Sequence, residues 1–400
     1  MLKKFSDYNF RDLKVLVRVD YNVPLNDNYE IQDTTRIDES LPTIRKIIDD
    51  GGMPILMSHL GRPKGIYEEK YSLKHLVDYL SDNIQAPVVF AQDCVEDWAM
   101  DAMDLCPKGG IVLLENLRFH KEEEKGDLGF ALSLSQLGDF YVNDAFGTAH
   151  RAHASTAIIA QFFKGKCSFG FLIEKELEAL SKILDQPERP MVAILGGAKV
   201  SDKLGVIERL LQITDVLIIG GGMAYSFLAS QNYSVGRSLI ESDKLDIFLN
   251  LLNSSKKLGK KIILPVDSVC NNEFSENGDI RVFEHEFGIK EGYMGLDIGP
   301  SSIELFIQEI KKAKTILWNG PMGVFEFNRF RTGTETIAKA VVAATEFGAY
   351  SVVGGGDSVS AVSQVGLKDR ISYVSTGGGA MLKFIEGRKL PGIEAIKENA

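Results

Sequence analysis

Cysteine is scarce in this sequence, and its few cysteines are far apart. The 400 residues include four, Cys94, Cys106, Cys167 and Cys270, and no two of them form a C-x-x-C pair. We therefore expect neither a zinc motif nor a disulfide framework, and we interpret the four as reduced, mostly buried thiols. No apolar run approaches the ~18 residues of a membrane-spanning helix. The N-terminal segment MLKKFSDYNF has a basic pair without a following apolar run, which predicts no signal peptide and a cytoplasmic protein.

Several familiar nucleotide-binding motifs are also missing. The chain has no G-x-x-x-x-G-K-[ST] loop, no HRD or DFG set and no G-x-G-x-x-G. These absences exclude P-loop NTPases and protein kinases, and they leave a dinucleotide-binding oxidoreductase only in an unusual form. Basic charge is not in excess either, because the formal net charge is -10. We therefore expect no nucleic-acid partner and no anionic membrane partner.

What the chain does have is a series of eleven short β-type apolar runs, each of which stops at a polar or glycine-rich cluster. The runs cover residues 15–24, 54–63, 87–90, 111–120, 140–153, 192–203, 216–224, 261–268, 315–323, 350–358 and 371–379. Helical spacing of apolar residues between the runs predicts parallel sheets covered by helices on both faces. In such sheets ligands bind beyond the carboxyl ends of the strands. The clusters therefore predict the position of the functional site.

The length and the distribution of these runs predict two domains. A chain of 400 residues exceeds what one hydrophobic core usually supports. Five runs precede residue 155 and six follow residue 190, and the segment 174–190 between them has an amphipathic helical pattern that ends at Pro187 and Pro190. We predict an α/β protein with two doubly wound parallel-sheet, Rossmann-like domains, residues 1–173 and from 191 onward, joined by a hinge helix.

The strand ends of the first half carry arginine and histidine, and we call this set the basic cup. It consists of Arg18, Asp20, Asn22, Arg36, His59, Arg62, Arg118, His120, His150, Arg151 and His153. Arginine matches phosphate and carboxylate oxygens two at a time, so the cup suits a small molecule with several negative charges, such as a phosphorylated carboxylic acid. The alternative for each arginine is a structural ion pair. His59, His150 and His153 suit hydrogen bonds to an anion or a purely structural role better than a metal, because no recognisable ligand spacing completes them.

The strand ends of the second half carry glycine, and we call this set the glycine edge. It consists of the segments GGAK (196–199), GGG (220–222), NGP (319–321), GGGD (354–357) and GGG (377–379). We expect a helix to begin after the first segment, with Lys199 and Lys203 at positions i and i+4 on one face. Two lysines so placed repel each other unless an anion lies between them. The alternative is a solvated helix face.

The segment GGGDSVSA (354–361) predicts a phosphate-binding helix start. Its glycines let backbone amides approach phosphate closely, and the helix N-terminus adds partial positive charge. Beside phosphates, Asp357 suits a Mg²⁺ ligand, since Mg²⁺ uses one or two carboxylates together with phosphate oxygens. The alternative is an ordinary N-cap carboxylate. The later segment STGGGA (375–380) forms either a second amide nest or a tight turn.

Nine motifs taken in order resemble the phosphoglycerate kinase family. They are RVDYNVP, SHLGRP, LENLRFH, NDAFGTAHRAHAST, GGAKVSDK, MGLDIGP, WNGPMGVFE, GGGDS and STGGGA, and the resemblance extends from about residue 5 to LPGIEAI near the end of the chain. The departures are minor. Tyr293 stands where the family more often has tryptophan, Arg331 replaces a small residue, and Ser358 takes a position often held by threonine. None of them removes a group that the chemistry needs.

The resemblance implies reversible, Mg²⁺-dependent phosphoryl transfer from 1,3-bisphosphoglycerate to ADP, which gives 3-phosphoglycerate and ATP, by a cytoplasmic monomer. It implies that the substrate is held by Asp20, Tyr21, Asn22, Arg36, His59, Leu60, Gly61, Arg62, Arg118 and Arg151. It implies that the nucleotide is held by Gly197, Lys199, Lys203, Asn319, Gly323, Glu326, Gly354, Gly355, Gly356, Asp357 and Ser358, with Asp357 on the metal. For catalysis we select Arg36, Lys203, Lys199 and the amides of Gly356, Gly378 and Gly379.

The same resemblance implies a hinge-bending enzyme. Residues 1–173 would bind the glycerate substrate and residues 191–384 the nucleotide, while 174–190 bends and 385–400 packs back on the first domain. Two alternatives remain from the residues alone. An oxidoreductase is disfavoured by the missing G-x-G-x-x-G, and a non-catalytic ligand-binding module would be favoured by loss of Arg36, Lys203 or Asp357, all of which are present.

Overall fold

The computed structural model describes residues 2–400, which separate into two compact units. One unit comprises the chain up to Leu177 together with Lys389–Ala400, and the other comprises Glu178–Arg388. The strands are β1 (Lys14–Arg18), β2 (Met53–Met57), β3 (Val88–Phe90), β4 (Ile111–Leu113), β5 (Phe140–Asn143), β6 (Cys167–Phe169), β7 (Met191–Leu195), β8 (Val216–Ile219), β9 (Lys261–Ile263), β10 (Asp267–Asn271), β11 (Arg281–Glu284), β12 (Met294–Ile298), β13 (Thr315–Asn319), β14 (Tyr350–Gly354) and β15 (Tyr373–Ser375).

Helices alternate with most of these strands. They are α1 (Thr35–Asp49), α2 (Val77–Ile84), α3 (Glu96–Leu105), α4 (Lys121–Lys125), α5 (Leu128–Ser135), α6 (Phe171–Leu184), α7 (Leu204–Ile213), α8 (Met223–Ser230), α9 (Leu245–Lys257), α10 (Pro300–Ile310), α11 (Thr332–Glu346), α12 (Gly356–Gln364), α13 (Gly379–Ile385) and α14 (Pro391–Asn399). Short 3₁₀ turns, among them Leu117–Phe119 and Ser201–Lys203, precede several of the helices. In residues 2–400 no helix is long and apolar enough to cross a bilayer.

The first unit is built on a six-stranded parallel sheet. Its strand order is β3-β4-β2-β1-β5-β6, so β1 lies inside the sheet, with Val17 in register with Leu56 on one side and Val142 on the other. Residues 15–18 of β1 are buried on both faces, which explains why this strand is a continuous apolar run rather than an alternating one. Helices cover both faces, as the sequence predicts.

The second unit repeats the plan with the order β15-β14-β13-β7-β8-β9, again all parallel. Its central strand β13 is fully buried and carries Trp318, whose indole Nε1 donates to the carbonyl of Gly320 at 2.8 Å. Burying a side chain of this size contributes roughly 2–3 kcal/mol, and the hydrogen bond satisfies its one polar atom. The two six-stranded parallel sheets confirm the predicted α/β fold class.

The second unit also contains a small antiparallel sheet that the sequence prediction missed. Its strand order is β11-β10-β12. The predicted run 261–268 is two strands, because the chain leaves the parallel sheet after Ile263 and enters the antiparallel one at Asp267. Pro265, which has no backbone N–H to donate, lies in the break. Strand β11 is mostly exposed, so its sequence has no apolar pattern that would predict a strand. The prediction also missed β6.

Helix α6 connects the two units, and the border between them falls after Leu177 within this helix. The helix begins at Phe171 and ends at Leu184, so it starts before the predicted segment 174–190 and ends short of Pro187. Its first turn is capped by a buried carboxylate, since Asp144 Oδ1 accepts from the backbone N–H groups of Leu172 at 2.9 Å and Ile173 at 3.2 Å. Burial raises the pKa of Asp144 to about 7.

The last helix, α14, belongs to the first unit. The amide of Gly392 donates to the carbonyl of Ala149 at 2.8 Å, and Ile393 and Ile396 are buried. A Cβ at Gly392 would lie 2.9 Å from Thr156 Cγ2, so only glycine allows this close approach. Near the chain end, the carbonyl of Asn399 accepts from Gly165 N–H at 2.7 Å. The first unit is therefore completed by residues from the end of the chain.

Candidate active site

Four neighbouring strands carry the basic cup at their carboxyl ends. Strands β4, β2, β1 and β5 are adjacent in the first sheet. Arg18 ends β1, His59 follows β2, Arg118 follows β4 and Arg151 follows β5, while Arg36 lies in the first turn of α1. Sequence positions more than a hundred residues apart therefore meet at one edge, as expected for parallel strands.

Arg18 is the most deeply buried cation of the cup. Its side chain is fully enclosed, and Nε donates to Ser155 Oγ at 2.9 Å while Nη2 lies 3.2 Å from His59 Nδ1. Within residues 2–400 no carboxylate lies at ion-pair distance from Arg18 or from Arg151. A buried charge without a counter-charge is costly, so an anionic ligand would stabilise this arrangement. The structural ion-pair alternative therefore does not account for these two arginines.

His59 lies among the guanidinium groups and is neutral. Burial lowers the pKa of His59 well below its usual value, and the positive charges of Arg18, Arg118, Arg36 and Arg151 lower it further. The same two causes lower the pKa of His153 to about 3. A neutral imidazole beside four cations can hydrogen-bond a ligand, but it adds no positive charge of its own.

Asp20 orients Arg36 at the rim of the cup. Its Oδ2 lies 3.2 Å from Arg36 Nη1, which also donates to the carbonyl of Asn22 at 3.0 Å. The Asn22 side chain in turn accepts from the backbone N–H of Gly61 at 2.9 Å. About a third of the Arg36 side chain remains exposed, at 34%. This network fixes the guanidinium while leaving one side of it accessible.

Arg118 is buried and has donors to spare. Nη1 donates to the carbonyl of Gly61 at 2.7 Å, and Nε lies 3.3 Å from Glu124 Oε1, but Nη2 has no hydrogen-bond partner within residues 2–400. Burial lowers the pKa of Arg118 to about 10. Because an unsatisfied buried N–H costs about 1–3 kcal/mol, a ligand oxygen at this position would be stabilising.

The remaining predicted residues of the cup differ in exposure. Arg62 is exposed, and it is not among the cations that lower the pKa of His59. The side chains of Tyr21 and Leu60 are buried, and Tyr21 Oη bonds Ser40 Oγ at 3.1 Å inside the core. These two residues can therefore offer a ligand only their backbone.

The glycine edge likewise follows neighbouring strands. Its five segments come directly after β7, β8, β13, β14 and β15, which are adjacent in the order β15-β14-β13-β7-β8. One expectation here was wrong, because Lys199 is not on a helix with Lys203. The backbone amides of Val200 and Ser201 donate to Glu241 Oε2 at 2.8 and 3.1 Å, which holds this segment as a loop. Helix α7 starts only at Leu204, and Lys199 is exposed before it.

Lys203 is held by backbone and side-chain oxygens. Its Nζ donates to the carbonyls of Gly196 at 2.8 Å and Asn319 at 3.1 Å, and also to Asn319 Oδ1. Burial lowers the pKa of Lys203 to about 8, although the charges of Asp357 and Asp202 oppose the shift. The ammonium is thus positioned between two strand ends, where a nearby phosphate would favour its charged form.

The start of α12 presents both backbone amides and a carboxylate. Gly355 has φ +95°, and a Cβ there would lie 2.6 Å from Asn319 Nδ2, so glycine is required at this turn. Asn319 Nδ2 donates to Gly354 O at 2.7 Å, and Ser358 Oγ accepts from Gly320 N–H at 2.5 Å. Gly356 and Asp357 are exposed in the first turn, as is Gly379 at the start of α13. A single accessible carboxylate beside phosphate-binding amides fits a Mg²⁺ ion that takes its other ligands from phosphate and water.

A cavity of about 520 Å³ opens beside this edge. The predicted residues Gly197, Gly323, Glu326 and Asp357 line it. It is also lined by residues that sequence reasoning missed, namely Tyr225, Arg237, Leu239, Phe274, Met294, Leu296 and Val324. An apolar cleft with polar groups at one end suits an aromatic base attached to phosphates. A larger cavity of about 910 Å³, beside α9 and β9, is lined by none of the predicted site residues.

Comparison with known proteins identifies this combination. The phosphoglycerate kinase family model matches residues 5–388. The chain belongs to the phosphoglycerate kinase family. It is 49% identical to phosphoglycerate kinase of Chlorobium phaeovibrioides over 99% of both chains. It is 48% identical to a cytosolic phosphoglycerate kinase of Triticum aestivum, over 98% of this chain and 97% of that one. The solved phosphoglycerate kinase of Coxiella burnetii superposes with a TM-score of 0.86 at 38% identity, covering 99% of this chain and 98% of that one.

The departures from the phosphoglycerate kinase motifs lie outside the cup and the glycine edge. Arg331 pairs with Glu335 one turn along α11, and its Nη1 lies 3.0 Å from Asn328 Oδ1. The hydroxyl of Tyr293 donates to Asp279, and its ring packs against Phe283 with centroids 5.1 Å apart. Ser358 keeps the hydroxyl that accepts from Gly320. Arg331 and Tyr293 thus make local structural contacts, whereas Ser358 hydrogen-bonds a residue of the glycine edge.

Proposed function

We propose that the chain catalyses reversible transfer of the acyl phosphate of 1,3-bisphosphoglycerate to ADP, which gives 3-phosphoglycerate and ATP, as a step of glycolysis and gluconeogenesis. The observation that carries the proposal is the buried, uncompensated guanidinium of Arg18, surrounded by Arg36, Arg118 and Arg151 around a neutral His59. Such a cup requires an anionic ligand with several oxygens, and a phosphorylated glycerate supplies them. Membership of the family supports the same reaction.

The proposed mechanism needs no general base. In the ATP-consuming direction the acceptor is the carboxylate of 3-phosphoglycerate, which is ionised at neutral pH. Catalysis then consists of aligning the two substrates and stabilising charge on the transferring phosphoryl group. Arg36 from the first unit and Lys203 from the second supply that stabilisation, with Lys199 and the amides of Gly356, Gly378 and Gly379 as further donors. The two lowered histidine pKa values agree with a site without an acid–base histidine.

Mg²⁺ would be held by Asp357 and the nucleotide phosphates. When bound, it supplies charge neutralisation of the phosphate oxygens. The protein's own contribution at this point is the exposed Asp357 carboxylate at the start of α12, with Lys203 close enough for the two charges to interact.

Transfer also requires that the two substrates meet, although the residues proposed to bind them belong to different units. We propose that residues 1–173 bind the glycerate substrate and 191–384 the nucleotide, and that the segment 174–190 bends to close the enzyme. Residues 385–400, which include α14, would define the closed geometry. The proposed enzyme is a cytoplasmic monomer, a location supported by the cytosolic relative from Triticum aestivum.

The test is turnover of 3-phosphoglycerate with MgATP, coupled through a dehydrogenase to NADH consumption. The wild type, Lys203→Ala and Lys339→Ala would be compared, the last being an exposed lysine of α11 outside the site. We expect fast turnover in the wild type and in Lys339→Ala, and a collapse in Lys203→Ala. A folded wild type that binds 3-phosphoglycerate but never turns it over would replace the enzyme with a non-catalytic binding module.

A further inference from the structure

Three side chains of metal-binding types meet in the first unit, and none of them is assigned a role in the transfer reaction, although His120 belongs to the basic cup. They are Asp93 and Cys94, in the loop between β3 and α3, and His120, which directly precedes α4. One donor atom from each lies within 4.8 Å of the other two. In residues 2–400 this is the only group of three or more histidine, cysteine or acidic side chains so arranged. The set combines one oxygen, one sulfur and one nitrogen donor.

We propose that Asp93, Cys94 and His120 form a binding site for a soft divalent cation, with Zn²⁺ as the favoured ion. Zn²⁺ takes Cys, His and Asp ligands at about 2.0–2.3 Å, and three protein ligands leave a fourth position for water. Thiolate and imidazole together select against Mg²⁺ and Ca²⁺, which require oxygen ligands. The site is therefore distinct in its chemistry from the Asp357 position.

The three donors need only small movements to share an ion. His120 Nε2 already lies 2.7 Å from Asp93 Oδ1, and the Asp93 side chain is 38% exposed, so the carboxylate can rotate to make room for an ion. Donors around one zinc lie roughly 3–4 Å apart, so shifts of roughly 1 Å bring all three into range. The imidazole keeps its orientation during this change, because it stacks on Phe130 with ring centroids 5.1 Å apart. Partial exposure also gives the ion a path from solvent.

The electrostatic surroundings favour a cation at this position. The negatively charged carboxylates of Asp93, Glu122 and Glu96 act on the His120 ring. They create a negative potential around the ring nitrogen. Cys94 is fully buried. A bound zinc ion deprotonates a coordinating thiol outright.

The coordination step balances without an oxidant or a further reactant. Starting from the imidazolium, His120 releases its Nε2 proton to solvent and keeps the proton on Nδ1, and the Cys94 thiol releases one proton to solvent as well. The ion takes the place of the proton that His120 and Asp93 share. It would join the loop after β3 to the turn Leu117–Phe119, which carries Arg118 two residues before His120. We infer that the ion clamps this corner of the first unit.

The experiment uses Co²⁺ as a spectroscopic probe on the untagged, chelator-treated full chain. A cobalt–thiolate bond gives an ultraviolet charge-transfer band that neither imidazole nor carboxylate produces. We expect the band in the wild type at one ion per chain, its loss when Zn²⁺ is added, and no competition from Mg²⁺. Cys94→Ser should lose the band. Cys106→Ser is the matched control, a half-buried cysteine outside the cluster, and should retain it.

A second variant separates loss of a ligand from loss of the fold. His120→Gln removes a partly exposed side chain, so it should fold, as checked by circular dichroism, yet should bind Co²⁺ more weakly. Zn²⁺ should raise the melting temperature of the wild type but not that of Cys94→Ser. Absence of a cobalt band in the wild type, or its persistence in Cys94→Ser, would overturn the proposal. A band lost only in Cys106→Ser would place the metal elsewhere and overturn it as well.

Discussion

The two units have the same parallel-sheet plan but present opposite kinds of surface at their strand ends. In the first unit the groups proposed to bind an anion are side chains, chiefly buried guanidinium groups such as Arg18 and Arg118. In the second they are backbone amides, supported by the single ammonium of Lys203. Guanidinium groups fix the position of a small rigid acid through paired hydrogen bonds, whereas amides follow the contour of a flexible phosphate chain. One architecture thus supports two modes of anion recognition.

The largest expected effect comes from Arg36, the accessible guanidinium of the first unit. We expect Arg36→Ala to lower kcat about 10²–10³-fold, the loss typical of one preorganised donor to a transition state. Stability should change little, because about a third of the Arg36 side chain is exposed and its ion pair with Asp20 lies at the rim of the cup. Steady-state kinetics and thermal unfolding measure the two quantities. Arg45→Ala, on the same helix and exposed, is the control. Near-normal turnover in Arg36→Ala would remove Arg36 from its proposed role.

The second effect tests the amide surface without removing any charge. Gly355→Ala places a Cβ 2.6 Å from Asn319 Nδ2 at φ +95°. We expect a loss of about 1–3 kcal/mol in the free energy of unfolding from backbone strain, and a higher KM for the nucleotide. The KM for 3-phosphoglycerate should stay constant. Gly348→Ala, at a similar φ of +97° where a Cβ meets nothing within 4 Å, lies outside the glycine edge and controls for backbone strain. Equal changes in both KM values would argue against separate binding surfaces.

A smaller effect tests the basic cup of the first unit. Arg118→Lys keeps the charge but loses the planar fork that bonds the carbonyl of Gly61 and leaves Nη2 for a ligand. We expect the KM for 3-phosphoglycerate to rise about tenfold, the equivalent of one hydrogen bond to a charged group. The nucleotide KM should remain as in the wild type. An unchanged KM for 3-phosphoglycerate would indicate that Nη2 binds no ligand.

The smallest expected effect is a pH dependence that arises from the Lys203 ammonium and not from the guanidinium groups of the cup. Because Lys203 must be charged and burial lowers its pKa to about 8, the free enzyme loses active form as pH rises through that value. We expect kcat/KM for the nucleotide to fall to roughly half at pH 8 and a quarter at pH 8.5. The kcat profile should decline at a higher pH than the kcat/KM profile, because a bound phosphate favours the charged form of Lys203. Arg118 keeps its charge throughout this range, because burial lowers its pKa only to about 10. A flat profile would contradict a lowered Lys203 pKa.

Much of this fold could be predicted from the sequence because buried parallel strands are continuous apolar runs. All eleven runs contain a strand of one of the sheets. Strand β11 could not be found, since it is exposed and lacks apolar periodicity. The predicted start of α7 was too early, because Glu241, some forty residues away, accepts from the amides of Val200 and Ser201 and holds that segment as a loop. Local pattern does not encode such a contact.

The predictability of the site divides in the same way. Glycine segments and arginines that directly follow an apolar run are recognisable in the sequence. Gly355, Asp357 and Arg118 could therefore be named as candidate site residues. Phe274 lines the cavity from the loop between β10 and β11, and Tyr225 lines it from α8. Nothing near them in the sequence indicates a ligand. The cluster of Asp93 and His120 could not be predicted from the sequence either, because α3 and β4 separate the two residues along the chain.

The return of α14 to the first unit has a consequence for biosynthesis. The first 177 residues leave the ribosome well before Gly392, yet the contacts of Gly392 with Ala149 and of Asn399 with Gly165 belong to the same unit. The nascent first unit therefore leaves the apolar surface later covered by Ile393 and Ile396 open to solvent until residues 389–400 have been translated. The second unit, Glu178–Arg388, is continuous in sequence and is complete when its own last residue emerges. In the cell, the unit that is translated first is the one that is finished last.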